Sequence, residues 1–270
     1  MNNCELCSGT GVLRLMEEID RNYEPTGQIV AVPPDVSDGK AKDLYPYPQW
    51  AMAAAECVCS RKKRAISRVE FALSQGRIDN KVVNSTWLYY QADTMKYAHH
   101  AIEVAQRLVS ADDVDGKSGL LFVGPKGTGK SSLAYLTMRD RANAGCLVEW
   151  VRFPTLIDEI RWTYQPGNTA QSVMDLKTQI QRARFLVIDE LGSITKAQRV
   201  DASQLWAEDA VQTLQAIMDI RHNLHLPTII TSNLSMTQLV NQFGEPVMSR
   251  IRGLCHVVPM DSSVDLRITS

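Results

Sequence analysis

Apolar residues in the second half of the chain form short runs that end abruptly at polar positions. Four such runs occupy 120–123, 146–151, 185–188 and 228–232. Between them apolar residues recur at helical spacing, most clearly after Pro154 and over 205–225. Short, largely apolar runs of this length are typical of strands buried in a parallel sheet. The pattern therefore predicts an α/β fold, a parallel sheet flanked by helices, with ligands at the carboxyl ends of its strands.

The N-terminal region has a different pattern. Two strand-like runs, 12–16 and 28–32, lie on either side of a Pro-Gly turn and predict a hairpin. Four prolines over 33–48 predict irregular loop. Helical spacing returns at 65–76 and at 87–109. A domain boundary is expected between these two helices, which gives the ranges 1–84 for a small N-terminal domain with a linker helix and 85–270 for the α/β domain.

Composition narrows the class of protein. The 270 residues are 44% hydrophobic and 22% charged, which is ordinary for a globular protein, and the formal net charge is −1. Nucleic-acid contacts would therefore depend on local basic patches. No stretch approaches the roughly 18 apolar residues of a membrane span, and the N-terminus lacks an apolar signal core. A cytoplasmic protein with no membrane association is expected, and its six cysteines are expected to be reduced or metal-bound.

The loop after the 120–123 run matches G-x-x-x-x-G-K-[ST], between a predicted strand and a predicted helix. Its glycines allow the backbone to approach a phosphate, and the N–H groups of the loop and helix supply partial positive charge. Lys130 would reach the β and γ phosphates, and the Ser131 hydroxyl would bind Mg²⁺. The sequence therefore predicts binding of a nucleoside triphosphate such as ATP. The residues expected to bind it are Gly124, Pro125, Lys126, Gly127, Thr128, Gly129, Lys130, Ser131 and Ser132.

Two carboxylates follow the 185–188 run. Asp189 is expected to bind Mg²⁺, directly or through water, and Glu190 to polarise the attacking water. Asn233 follows the next strand and could orient that water, although an Asn at a strand end is more often part of a turn. Arg250 and Arg252 lie on a predicted short helix and could stabilise phosphate charge, and the residues alone leave open whether they are ordinary surface arginines.

Cysteines in the N-terminal region form two close pairs. Cys4 and Cys7 precede a Ser-Gly-Thr-Gly segment, and Cys57 and Cys59 follow 49 residues later. Four thiolates would satisfy a tetrahedral Zn²⁺ site, although the second pair is C-x-C. Buried cysteines without metal remain the alternative, and disulfides are a weaker one.

Four basic residues, 61–64, come directly after the second cysteine pair. A solvated helix start is the ordinary interpretation. A contact with phosphate or with an acidic partner is the more specific one.

Four segments together resemble the AAA+ ATPases of the DnaC/IstB/DnaI group over about residues 85–260. They are the loop, 185–192, 228–234 and Met248-Ser-Arg-Ile-Arg. The resemblance implies Walker A roles for Lys130 and Ser131 and Walker B roles for Asp189 and Glu190. It also implies sensor 1 for Asn233 and a trans-acting arginine finger for Arg250. Only 18 residues follow Arg252, too few for a separate helical lid, so a sensor role for Arg252 is doubtful.

The cysteine-bearing N-terminus is similar to that of bacterial and phage helicase loaders. The resemblance implies a slow ATPase, stimulated by assembly or DNA, that holds a replicative hexameric DNA helicase with its N-terminal domain. It also implies self-association into a ring or spiral around single-stranded DNA. An extra helical element, loosely 154–183, belongs to this group. Basic residues in or beside that element could contact DNA phosphates: Arg152, Arg161, Lys177, Arg182 and Arg184.

Two other functions fit the same residues. A transposition helper ATPase of the IstB type would share the ATPase core but act on a transposase. A zinc-containing adaptor that is switched by nucleotide and hydrolyses little of it is the alternative from a different class. The N-terminal cysteines favour the loader over the first, and Asp189, Glu190, Asn233 and Arg250 argue against the second.

Overall fold

The computed structural model describes residues 12–19, 25–31, 50–90, 98–163, 177–193 and 204–260. The chain forms two compact units, Met1–Ala65 and Ile66–Ser270. The predicted domain boundary after residue 84 stays a prediction, because compactness alone does not show that either part folds independently.

The first unit contains an antiparallel sheet of three strands. They are β1 (Val12–Ile19), β2 (Pro25–Ala31) and β3 (Trp50–Glu56), in the order β2-β1-β3. The predicted hairpin is confirmed, since β1 pairs with β2 in antiparallel register. Strand β3 was not predicted, because four of its seven residues are alanines, which have weak strand propensity.

Helices described in the structure are, in chain order, α1 (Val58–Ser74), α2 (Asn80–Val83), α3 (Trp87–Tyr90), α4 (His99–Ser110), α5 (Lys130–Asn143), α6 (Phe153–Thr163), α7 (Gln204–Asn223), α8 (Met236–Phe243) and α9 (Glu245–Leu254). Residues 177–182 are also helical. The predicted helix over 87–109 corresponds to α3 and α4, and 91–97 between them lie outside the described residues. Within the described ranges, no helix is both long and apolar enough to cross a membrane.

The second unit is built on a five-stranded sheet in the order β5-β6-β7-β4-β8. Its strands are β4 (Gly119–Val123), β5 (Val148–Arg152), β6 (Phe185–Leu191), β7 (Thr228–Ser232) and β8 (Cys255–Pro259). Every neighbouring pair is parallel, which confirms the predicted parallel sheet with flanking helices. Strand β8 was not predicted, because it follows α9 without an intervening loop. Parallel pairing brings the carboxyl ends of all five strands to one edge of the sheet.

A buried arginine connects the helical residues at 177–182 to the sheet. Arg221 on α7 is 0% exposed, and its guanidinium donates to the carbonyl oxygens of Ala183 at 2.8 Å and Pro227 at 2.7 Å. Burial lowers the pKa of Arg221 to about 9. Its Nε also donates to the Thr228 hydroxyl at 2.8 Å. These bonds hold the segment that precedes β6, and thereby the strand that carries Asp189 and Glu190.

Candidate functional site

The glycine-rich loop runs from the end of β4 to the start of α5. Gly124, Gly127 and Gly129 have φ of 154°, 83° and 87°, values at which a side chain is strained. At Gly124 an added Cβ would also overlap the carbonyl oxygen of Met260. The loop therefore takes a curved path that glycine permits, and it ends at the N-terminus of α5, where the N–H groups of a first helical turn attract anions.

Lys130, the first residue of α5, points back into this loop. Its side chain is 6% exposed, and Nζ donates to the carbonyl oxygen of Gly124 at 2.8 Å and to the Thr128 hydroxyl at 3.2 Å. A third donation goes to the carbonyl oxygen of Pro125. The ammonium thus lies inside the curve of the loop, where its charge adds to that of the backbone N–H groups.

Asp189 lies at the carboxyl end of β6 and accepts two hydrogen bonds on Oδ1. The donors are the hydroxyls of Ser131 at 2.7 Å and Thr231 at 2.6 Å. Asp189 is 7% exposed. Burial raises the pKa of its carboxyl, and the two hydroxyl donors oppose that shift. Hydroxyl and carboxylate oxygens are the ligands that Mg²⁺ prefers, so Ser131 and Asp189 fit a magnesium site.

Thr231 is a site residue that sequence reasoning missed. Its side chain contacts both acidic positions: the hydroxyl donates to Asp189 and accepts the Glu190 N–H at 3.0 Å. The available signal was a threonine next to the end of the strand-like run that follows the acidic one in the chain.

Glu190 occupies an unusual backbone conformation. Its φ is 59°, and the pairing of β6 with β7 shifts register between Ile188 and Leu191. A positive φ is uncommon for a residue with a side chain and is often found where function constrains geometry. The bulge interrupts the in-and-out alternation of the strand, so consecutive acids have different surroundings. Asp189 is buried, whereas Glu190 is partly exposed.

Arg152 contacts Glu190 directly. It lies at the carboxyl end of β5, and its Nη2 donates to Glu190 Oε2 at 2.7 Å. The sequence interpretation placed Arg152 among possible DNA-phosphate contacts. In the structure its guanidinium instead fixes one carboxylate oxygen of the predicted catalytic glutamate.

Asn233 and the two C-terminal arginines occupy different surroundings. Asn233 is partly exposed and comes directly after β7. Arg250 on α9 forms an ion pair with Asp219 of α7, and its Nη1 donates to the Pro246 carbonyl at 3.0 Å. Arg252 pairs with Glu245 on the same helix. Within one chain, Arg250 therefore contacts α7 and α9 through these two interactions, neither of which involves the glycine-rich loop.

The remaining predicted residues divide between the loop and the cysteines. Pro125 and Lys126 are exposed at the loop, and Ser132 is partly exposed on α5. Cys4 and Cys7 lie outside the described residues. Cys57 is buried just before α1, and Cys59 is partly exposed in its first turn. Across the described ranges no three His, Cys, Asp or Glu side chains are grouped to hold a metal, so the zinc site stays a prediction.

Known proteins resemble part of this chain. The replicative helicase loader DnaC of Escherichia coli strain K12 is 26% identical over 156 residues, and the match spans 57% of this chain and 57% of DnaC. The crystal structure of the DnaC helicase loader superimposes with a TM-score of 0.54 at 22% identity, covering 67% of this chain and 99% of that one. The crystal structure of DnaI gives 0.53 at 20% identity, covering 70% and 94%. At these identities the structural likeness establishes the fold alone.

A family match covers the site itself. Residues 63–267 match the description "IstB-like ATP binding protein", a range that includes the loop, both acidic residues, Thr231, Asn233 and both C-terminal arginines. The loop geometry and the pairing of Ser131 with Asp189 agree with nucleotide binding. This chain belongs to the family of IstB-like ATP-binding proteins.

Proposed function

We propose that this protein is an ATP-dependent helicase loader. It binds a replicative hexameric DNA helicase and single-stranded DNA, and it delivers the helicase to the DNA. The observation that carries the proposal is the hydrogen bond from Ser131, at the end of the Lys130 loop, to Asp189, which precedes Glu190. It occurs in a chain that is similar to a replicative helicase loader. That relative is matched over only 57% of its length, so its activity and partners are proposals for this chain.

Nucleotide binding would use the loop and the adjacent carboxylate. Loop N–H groups and the Lys130 ammonium would hold the β and γ phosphates, while Ser131 and Asp189 would hold Mg²⁺. When bound, Mg²⁺ neutralises phosphate charge. The hydrogen bond from Thr231 keeps the Asp189 carboxylate oriented toward Ser131.

Hydrolysis would depend on Glu190. Its carboxylate accepts a proton from the attacking water, and Arg152 holds one carboxylate oxygen so that the other is left for that water. Asn233, at the tip of the neighbouring strand, would orient the same water. The resulting ATPase is expected to be slow until subunits assemble.

Arg250 would act on the nucleotide of a neighbouring subunit in a ring or spiral. The Arg250→Ala variant should retain nucleotide affinity, yet hydrolyse ATP about tenfold more slowly at concentrations where subunits assemble, because a charge-assisted contact to phosphate is lost. Phosphate release measured over a protein dilution series checks this. The control is Arg107→Ala, another arginine paired within the chain. Equal turnover of Arg250→Ala and parent at saturating protein would count against the finger.

Zinc would be held by Cys4, Cys7, Cys57 and Cys59 and would stabilise an N-terminal unit with few apolar residues. Elemental analysis of the purified chain should find about one Zn²⁺ per chain, lost in a Cys4→Ser/Cys57→Ser variant and retained in Cys146→Ser. Zinc-free protein prepared without chelators would leave the four cysteines without a metal role.

Delivery of a helicase is the decisive test of function. The purified chain, ATP and the hexameric replicative helicase of the same host are mixed with closed circular single-stranded DNA, and the helicase retained on the circles is measured. Retention that requires both this chain and ATP supports a loader. Lys81→Ala, which changes an exposed lysine on α2, serves as the unaffected control.

A second candidate rests on the family description itself. The match over residues 63–267 fits the IstB-type transposition helper that the sequence also suggested, and as such a helper this chain would instead assist a transposase. If no helicase is retained on the circles and a transposase encoded beside this gene binds the chain with ATP, the second function replaces the first. A cytoplasmic location, expected for either function, stays a prediction.

A further inference from the structure

The start of α1 carries an exposed basic cluster far in sequence from the nucleotide loop. Arg61, Lys62 and Lys63 are consecutive, and all three side chains are exposed within the first two turns of the helix. We name these three residues the basic turn. Arg64, which follows, is exposed as well.

Ion pairing distinguishes the basic turn from four arginines of this chain. Arg68, five residues after Lys63, pairs with Glu149 at 2.7 Å, and Arg77 pairs with Glu159 at 3.4 Å. Arg107 and Arg252 likewise pair with carboxylates. Among the residues that the structure describes, Arg61, Lys62 and Lys63 form no ion pair, so their charge is available to a partner.

The position of the basic turn is unfavourable for the helix itself. A helix N-terminus carries partial positive charge, so cations there are destabilising, and acidic residues in the first turn would offset them. The first turn of α1 has no acidic residue. The helix dipole therefore does not account for the positive charge of the cluster, and the field of the cluster adds to that of the helix end.

Geometry favours a flexible polyanion over a folded acidic surface. Successive residues of an α-helix are separated by about 100°, so the three side chains spread over about 200° of the helix surface. A rigid acidic surface faces one side of a helix and meets only part of this arc. A single strand of nucleic acid is flexible and carries one phosphate per nucleotide, so it can follow the arc.

We propose that the basic turn binds the phosphate backbone of single-stranded DNA. The inference rests on the proposed function, in which the chain binds such DNA, and adds contacts outside the ATPase core. Three phosphate contacts should make the affinity for DNA steeply dependent on salt. Each contact should add about 0.7 to the steepness of the plot of log affinity against log salt.

The test is an Arg61→Gln/Lys62→Gln/Lys63→Gln variant of the full chain. Glutamine has a helix propensity close to that of lysine and arginine, so α1 is retained. Binding of a fluorescent oligothymidylate is measured by anisotropy with ATP and Mg²⁺ over a range of salt. The slope of log affinity against log salt should be less steep by about 2 in the variant. The ratio of the parent's affinity to the variant's affinity should therefore fall about 20-fold between about 50 and about 200 mM salt.

Two controls make the outcome specific. Arg107→Gln removes an exposed arginine that is paired with Asp115, and its slope should equal that of the parent. ATP hydrolysis without DNA should be the same in the triple variant and the parent, because the basic turn is not part of the nucleotide site.

Each contrary result points to a different failure. Equal slopes for the triple variant and the parent would overturn the inference while leaving DNA binding in place. A parent chain that does not bind the oligonucleotide would overturn both this inference and the DNA-binding part of the proposed function.

Discussion

A Glu190→Gln variant should bind ATP as tightly as the parent and hydrolyse it roughly 10²- to 10⁴-fold more slowly, the range expected when a general base is removed. Glutamine has the shape of glutamate and can still accept the hydrogen bond from Arg152, so the local structure is kept. It cannot accept a proton from water. Binding is spared because Lys130, Ser131 and Asp189 are unchanged.

Single-turnover phosphate release and titration with a fluorescent ATP analogue would separate the two effects. Glu208→Gln is the matched control, since Glu208 is an exposed glutamate on α7. Turnover of Glu190→Gln within about threefold of the parent would show that another group, or water alone, accepts the proton. The backbone strain at φ 59° would then need a different explanation.

A Lys130→Ala variant should lose nucleotide affinity by about 100-fold or more. The ammonium would make charge-assisted hydrogen bonds to two phosphates, each contributing about 1.5–3 kcal/mol, and alanine makes none. Titration of ATP with and without Mg²⁺ measures the loss, and Lys81→Ala is the control. Unchanged affinity would contradict the assignment of the loop.

Removal of Lys130 also leaves the carbonyl oxygens of Gly124 and Pro125 without that donor. The variant's thermal unfolding should therefore be compared with that of the parent. A folded protein that has lost affinity isolates the effect on binding. A Lys130→Arg variant, which keeps a charged donor, provides the second measurement if alanine lowers stability.

Local motifs explain why much of the site was predictable. The loop, its flanking strand and helix, and the acidic strand end are contiguous in sequence, so residue order alone places their parts. Thr231 and Arg152 became site residues only through the sheet, because β7 and β5 are the two neighbours of β6. A sequence pattern shows that strands exist but not which strands are adjacent.

Other elements were missed for local reasons. The alanine-rich β3 lacks the β-branched residues that indicate a strand. Strand β8 begins at the residue after α9, so no turn signal separates the two. The roles of Asn233, Arg250 and the four N-terminal cysteines remain predictions, because each depends on a partner subunit, a ligand or residues outside the described ranges.

The close approach of Met260 to Gly124 makes the nucleotide loop part of a longer mechanical unit. Met260 N donates to the Val123 carbonyl at 2.7 Å, and its own carbonyl occupies the space where a side chain on Gly124 would lie. Met260 directly follows β8, which continues from α9 and Arg250. Force applied to α9 by a neighbouring molecule would thus be transmitted along one strand to the start of the loop. Through β8 and this hydrogen bond, the start of the loop and α9 are physically connected.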